Sequence, residues 1–109
     1  MTVKECTEAW EKVKEIYGET REGSPKETVD RIVNSIGLEK TKEVFATVAA
    51  IKKGDGRIYG KNREYMESIP VNPKATIWSR ENPMLYTGLD DIHTAHINQM
   101  ITELRGMDQ

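Results

Sequence analysis

Residues 44–66 read VFATVAAIKKGDGRIYGKNREYM, and this stretch fixes the kind of fold the chain can adopt. Val44, Phe45, Val48 and Ile51 recur at helical spacing, so they line one apolar face. Lys52-Lys53 follow, and Gly54-Asp55-Gly56 then reverses the chain, because two glycines and an aspartate favour a turn over a continuing helix. Asn62-Arg63-Glu64-Tyr65-Met66 resumes a helical pattern. The unit is helix, turn, helix, and the alanines at 46, 49 and 50 suit it to close packing at the centre of a helical protein.

The flanking sequence extends the same logic in both directions. Thr2-Val3-Lys4-Glu5 is a capping box, in which Thr2 accepts from the Glu5 backbone N–H and the Glu5 carboxylate reaches back. Val3, Cys6, Trp10, Val13 and Tyr17 then form an apolar stripe, and Gly18 is the expected stop. Ser24-Pro25-Lys26-Glu27 opens a second helix, with Pro25 at the first helical position. Val29, Ile32, Val33 and Ile36 are its apolar face, and Gly37 ends it. The third helix is expected over about residues 39–53 and a short fourth over about 61–68. Ile69-Pro70, Asn72-Pro73 and Asn82-Pro83 hold the residues before proline away from the helical region, which excludes a long helix between residues 69 and 88. Leu89-Asp90-Asp91 is the expected opening of the last helix, whose face is Ile92, His96, Met100 and Leu104, with Ile97 and Ile101 beside it, as far as Gly106. The expected fold class is therefore mainly α: a compact bundle of about five helices with an irregular proline-containing segment before the last.

With 109 residues, the chain is expected to form a single helical domain, since halves of it would be too small to bury stable cores. Within it, residues 1–37 are a capped helix pair, and residues 38–109 hold the glycine-turn helix pair, the proline-containing loop and the C-terminal helix. A hydrophobic share of 37% against 31% charged residues excludes a disordered chain. No apolar run approaches the roughly 20 residues that span a bilayer, and MTVKECTEAW lacks the apolar core of a signal peptide, so a cytoplasmic protein is expected. Cys6 is the single cysteine, which excludes an internal disulfide. The formal net charge of -2 argues against a general nucleic-acid coating protein.

Charge is gathered locally all the same. Between residues 52 and 63, Lys52, Lys53, Arg57, Lys61 and Arg63 stand against Asp55 alone, a local balance of +4. Arg57 and Arg63 have the planar fork that grips a phosphate or carboxylate, and Tyr59 or Tyr65 offers a ring to stack on a base or pack on a partner. The same residues also fit a solvated hairpin whose lysines complement the negative end of the preceding helix. Arg57 has a further alternative, an ion pair with Asp55 or Glu64. The turn is neither an EF-hand loop nor a P-loop, since the oxygen ligands of the first and the Gly-Lys-Ser/Thr of the second are missing. His93 and His96, three apart beside Asp90 and Asp91, raise the option of a metal or acid/base pair, but lack the spacing of a zincin helix. Trp78 and Tyr86 lie in the proline-containing segment, where they either cover the core or anchor a partner.

The run from Thr47 to Tyr65, with Asp55-Gly56-Arg57-Ile58, Asn62 and the aromatic Tyr65, resembles small domains that recur in accessory proteins of conjugative elements and phages of Gram-positive bacteria. Ile92-His93-Thr94-Ala95-His96-Ile97-Asn98-Gln99 is similar to the same group, and the resemblance covers about residues 38–105. Large polyvalent proteins carrying related modules are thought to shield incoming DNA from host defences. The resemblance thus implies a mobile-element protein with a counter-defence role, and it assigns no catalytic residue. The expected function is non-enzymatic: binding and inhibition of a host defence nuclease or ribonucleoprotein effector, in the manner of an anti-CRISPR protein. Its surface would be Lys52, Lys53, Arg57, Tyr59, Lys61, Arg63, Trp78 and Tyr86, with nucleic-acid contact through the basic turn, no membrane partner and no cofactor. The alternatives are a small RNA- or DNA-binding accessory protein and a metal-dependent enzyme using His93 and His96.

Overall fold

The Thr2 hydroxyl accepts the Glu5 backbone N–H at 3.1 Å, and from that cap the first helix, α1, runs over Val3–Thr20. The computed structural model of the chain describes residues 1–52, 58–75 and 92–108. After α1 come α2 (Pro25–Ile36), α3 (Leu38–Ile51), α4 (Gly60–Glu67) and α5 (Thr94–Met107), with no strand among the described residues. The fold is a mainly α, compact bundle. Its radius of gyration of 12.5 Å is close to the roughly 13 Å expected of a folded chain of this length.

Three of the expected boundaries move. Gly18 does not stop α1, which continues to Thr20, because Thr20 is buried and has somewhere to go. Its hydroxyl bonds the Ile16 carbonyl at 2.9 Å and the Thr28 hydroxyl of α2 at 2.6 Å. Glycine inside a helix costs only about 1 kcal/mol, which those bonds and an extra half-turn of ladder outweigh. The last helix starts at Thr94 rather than at Leu89–Asp91, since Ile92 and His93 are not helical and His93 is the extended N-cap. Ile92, 1% exposed, precedes that cap and shares the core with Ile97, the arrangement of a hydrophobic staple. Gly106 lies inside α5, which ends at Met107.

The other helix starts and stops follow the local chemistry. Ser24 caps α2, accepting the Glu27 N–H at 3.2 Å. Gly37 ends α2 and begins α3 with φ 89° and ψ 157°, a conformation essentially confined to glycine, so a single residue turns the corner. Asn72 accepts the Lys74 N–H on its side chain at 3.0 Å, and residues 73–75 are helical. Pro73 thus starts a helical turn as well as barring its predecessor from one.

In the core, α2 packs against α1, α3 and α5, while α3 packs against α1, α2 and α4. Phe45, Val44 and Val48 of α3 are buried with Trp10 and Val13 of α1, Val29 and Ile32 of α2, and Ile97, Ile101 and Leu104 of α5. Among the described residues the Trp10 indole N–H has no hydrogen-bond partner. An unpaired buried donor costs about 1–3 kcal/mol, less than the roughly 4–6 kcal/mol gained by burying the 150–250 Å² of an indole-sized side chain at about 25 cal/mol/Å². Among the described residues, no helix is long and apolar enough to cross a membrane.

Candidate interaction surface at the α3–α4 corner

Ile58 to Arg63 lead into the first half of α4, and their side chains divide between core and solvent. Ile58 is 2% exposed and belongs to the core, whereas Tyr59 is 68% exposed. Gly60 has φ 61°, a left-handed backbone that favours glycine. Lys61 is exposed. Asn62 is buried between α4 and α5, where its Nδ2 faces the Asn98 carbonyl at 3.1 Å, Asn98 Oδ1 at 3.0 Å and the Thr102 hydroxyl at 2.8 Å. Its Oδ1 has no partner among the described residues.

Arg63 is half-buried. Its Nε donates to the Ile58 carbonyl at 3.0 Å and its Nη1 to the Ala49 carbonyl of α3 at 3.2 Å. Lys52, the C-cap of α3, is half-buried and its backbone N–H bonds the Val48 carbonyl. Of the eight residues expected at the surface, the structure thus brings Lys52, Tyr59, Lys61 and Arg63 to one corner of the bundle. Lys53, Arg57, Trp78 and Tyr86 lie outside the described residues, as does Asp55. Asn62 was not among the expected site residues. An asparagine set between Lys61 and Arg63 at the third position of α4 was the available signal.

A groove of about 290 Å³ opens beside this corner, lined by Ala46, Ala49 and Ala50 of α3, Arg63 and Met66 of α4, and Ile69 and Val71 beyond it. At the far end of α4 the Tyr65 hydroxyl donates to Asp108 Oδ2 at 3.0 Å, and Lys42 Nζ lies 3.1 and 3.0 Å from the two carboxylate oxygens. The bonds from Lys42 and then Tyr65 hold the Asp108 carboxyl below its usual value. Burial, followed by the Asp108 carboxylate, pushes the Tyr65 phenol well above its usual range.

Of the possible metal or acid/base group, the two histidines are described, whereas Asp90 and Asp91 lie outside the described residues. His93 and His96 are both exposed, with ring centroids 6.1 Å apart. His96 Nδ1 is hydrogen-bonded to the Tyr17 hydroxyl of α1, although His96 itself stands at the edge of the apolar face rather than within it. Among the described residues no three His, Cys, Asp or Glu side chains gather closely enough to hold a metal ion. Cys6 is half-buried against the core, and burial pushes its thiol up, which disfavours the reactive thiolate. No protein-family model, curated protein or solved structure matches the chain.

Proposed function

We propose that the protein is a binding protein of a mobile element that engages a host defence nuclease, or its complex with nucleic acid, in the cytoplasm. The surface is the α3–α4 corner, with Tyr59 and Lys61 at its centre, Lys52 beside them, and Lys53 and Arg57 of the intervening sequence contributing charge. One observation supports this reading above the others: Tyr59 is 68% exposed and is followed by a solvent-facing lysine two residues on. Tyrosine is among the residue types that recur as anchors of protein interfaces. The local balance of +4 in a chain of net charge -2 suits an acidic or nucleic-acid-bearing partner. The resemblance to modules of conjugative elements and phages supplies the biological setting, and Trp78 and Tyr86 are further anchors in this proposal.

The test is inhibition of DNA cleavage by purified effector ribonucleoproteins from Gram-positive hosts, titrated with this protein. Stoichiometric inhibition by the wild type, lost in Tyr59→Ala and Lys61→Glu variants of unchanged melting temperature, is the expected result. Inhibition of none of the effectors, or inhibition indifferent to both substitutions, overturns the proposal. Direct nucleic-acid binding by the same residues is the competing outcome. It would appear as affinity for free RNA or DNA that falls steeply with salt.

A further inference from the structure

We infer that Arg63 is a positioning residue, a brace that fixes the direction in which Tyr59 and Lys61 are displayed; the inference rests on the binding surface proposed above. Helix α4 has eight residues and no side-chain bond at its N-cap. A helix so short is marginal without tertiary support, and an uncapped first turn leaves the backbone ahead of it poorly held. Arg63 supplies the missing restraint from within the helix. Its Nε bond to the Ile58 carbonyl fixes the peptide plane that joins Ile58 to Tyr59, and with it the Cα–Cβ direction of Tyr59. Its Nη1 bond to the Ala49 carbonyl ties that plane to α3. Serving two carbonyls from separate segments at once needs a rigid planar fork, which arginine has and lysine lacks.

Two further restraints act on the same hexapeptide. The Ile58 side chain is sunk in the core, and the Asn62 amide is held on Asn98 and Thr102 of α5. Residues 58, 62 and 63 therefore face the protein and are held by it, while 59 and 61 face solvent between them. A side chain displayed this way loses less freedom on binding than one on a free loop, and preorganisation of this kind raises affinity without adding a contact.

The decisive experiment compares wild type with Arg63→Lys and Arg63→Met. Backbone ¹⁵N relaxation at Tyr59, Gly60 and Lys61 reports the brace directly, and inhibition of the effector ribonucleoprotein reports its consequence. We expect both variants to lower order at residues 59–61 alike and to weaken inhibition about tenfold. The charge-keeping lysine would not rescue. Wild-type order at 59–61 in Arg63→Lys, or rescue of inhibition by lysine but not methionine, overturns the inference in favour of direct contact through charge. Should both variants unfold, the wild type still decides: the Arg63 Nε proton must exchange slowly with solvent, and fast exchange overturns the brace. Loss of order at 59–61 in the Arg63 variants, with inhibition intact in Tyr59→Ala, sustains the brace and sinks the proposed surface instead.

Discussion

The Tyr17 hydroxyl is hydrogen-bonded to Nδ1 of His96, joining the last third of α1 to the first turn of α5 across 79 positions of sequence. Their rings lie 5.7 Å apart and tilted by 51°. The bond closes the end of the bundle where α1, α2 and α5 converge, and it gives an exposed histidine a structural task.

Tyr17→Phe removes that bond and leaves the ring in place. The expected loss of stability is about 0.5–1.5 kcal/mol, nearer the lower figure because water can replace the hydroxyl at exposed His96. Urea denaturation of Tyr17→Phe, His96→Ala and the double variant measures the coupling. Additive losses would show that the two side chains do not interact.

Two glycines should respond to alanine with opposite signs. Gly18 lies inside α1, with nothing within 4 Å of an added Cβ, so Gly18→Ala should stabilise by about 0.5–1 kcal/mol. Gly37 has equal space but φ 89°. Gly37→Ala should therefore destabilise by about 1–3 kcal/mol through backbone strain alone. Thermal melts of both variants check the signs.

Asn62→Ala should cost about 1–3 kcal/mol, since it removes the donor that now serves Asn98 Oδ1 and ties α4 to α5. Asn62→Asp should cost more at neutral pH, because a buried carboxylate would face the Asn98 carbonyl and Oδ1 with no hydrogen to offer them. A smaller loss for aspartate than for alanine in urea titrations would refute this account of the pocket.

The Asp108 cluster should shape both limbs of the stability–pH curve. The folded pKa of Asp108 is depressed, by Lys42 first and Tyr65 second. Its contribution is complete above the unfolded carboxylate value of roughly 3.9 and is lost as pH falls through the lower folded value. Tyr65 has the opposite sign, with a folded pKa raised by burial and by Asp108. Its contribution is complete below the unfolded tyrosine value of roughly 10 and is lost as pH rises through the higher folded one. Asp108→Asn should flatten the acid limb and Tyr65→Phe the alkaline limb, measured by melting temperature against pH. Limbs unchanged by both substitutions would contradict the cluster.

Much of the helical architecture could be read from short-range signals, and the reasons are visible in particular residues. Thr2, Ser24 and Gly37 act through bonds to neighbours three or four positions away, so their patterns were sufficient. Gly18 misled because what carries α1 past it is Thr20 meeting Thr28 across a helix interface. Ile92 misled because it belongs to the core without belonging to the helix. At the α3–α4 corner the exposed members, Tyr59 and Lys61, were legible as charge and aromaticity. The inward turn of Arg63 was not, since an arginine that serves backbone carbonyls has the same letter as one that awaits a ligand.

The mix of held and exposed positions along Ile58–Arg63 separates two kinds of selection within six residues. Substitutions at 58, 60, 62 and 63 are taxed by folding, because those positions carry a buried side chain, a left-handed backbone and two sets of bonds. Positions 59 and 61 escape that tax. A library randomised at both, with the scaffold held constant, would be a compact way to test whether this corner binds a partner.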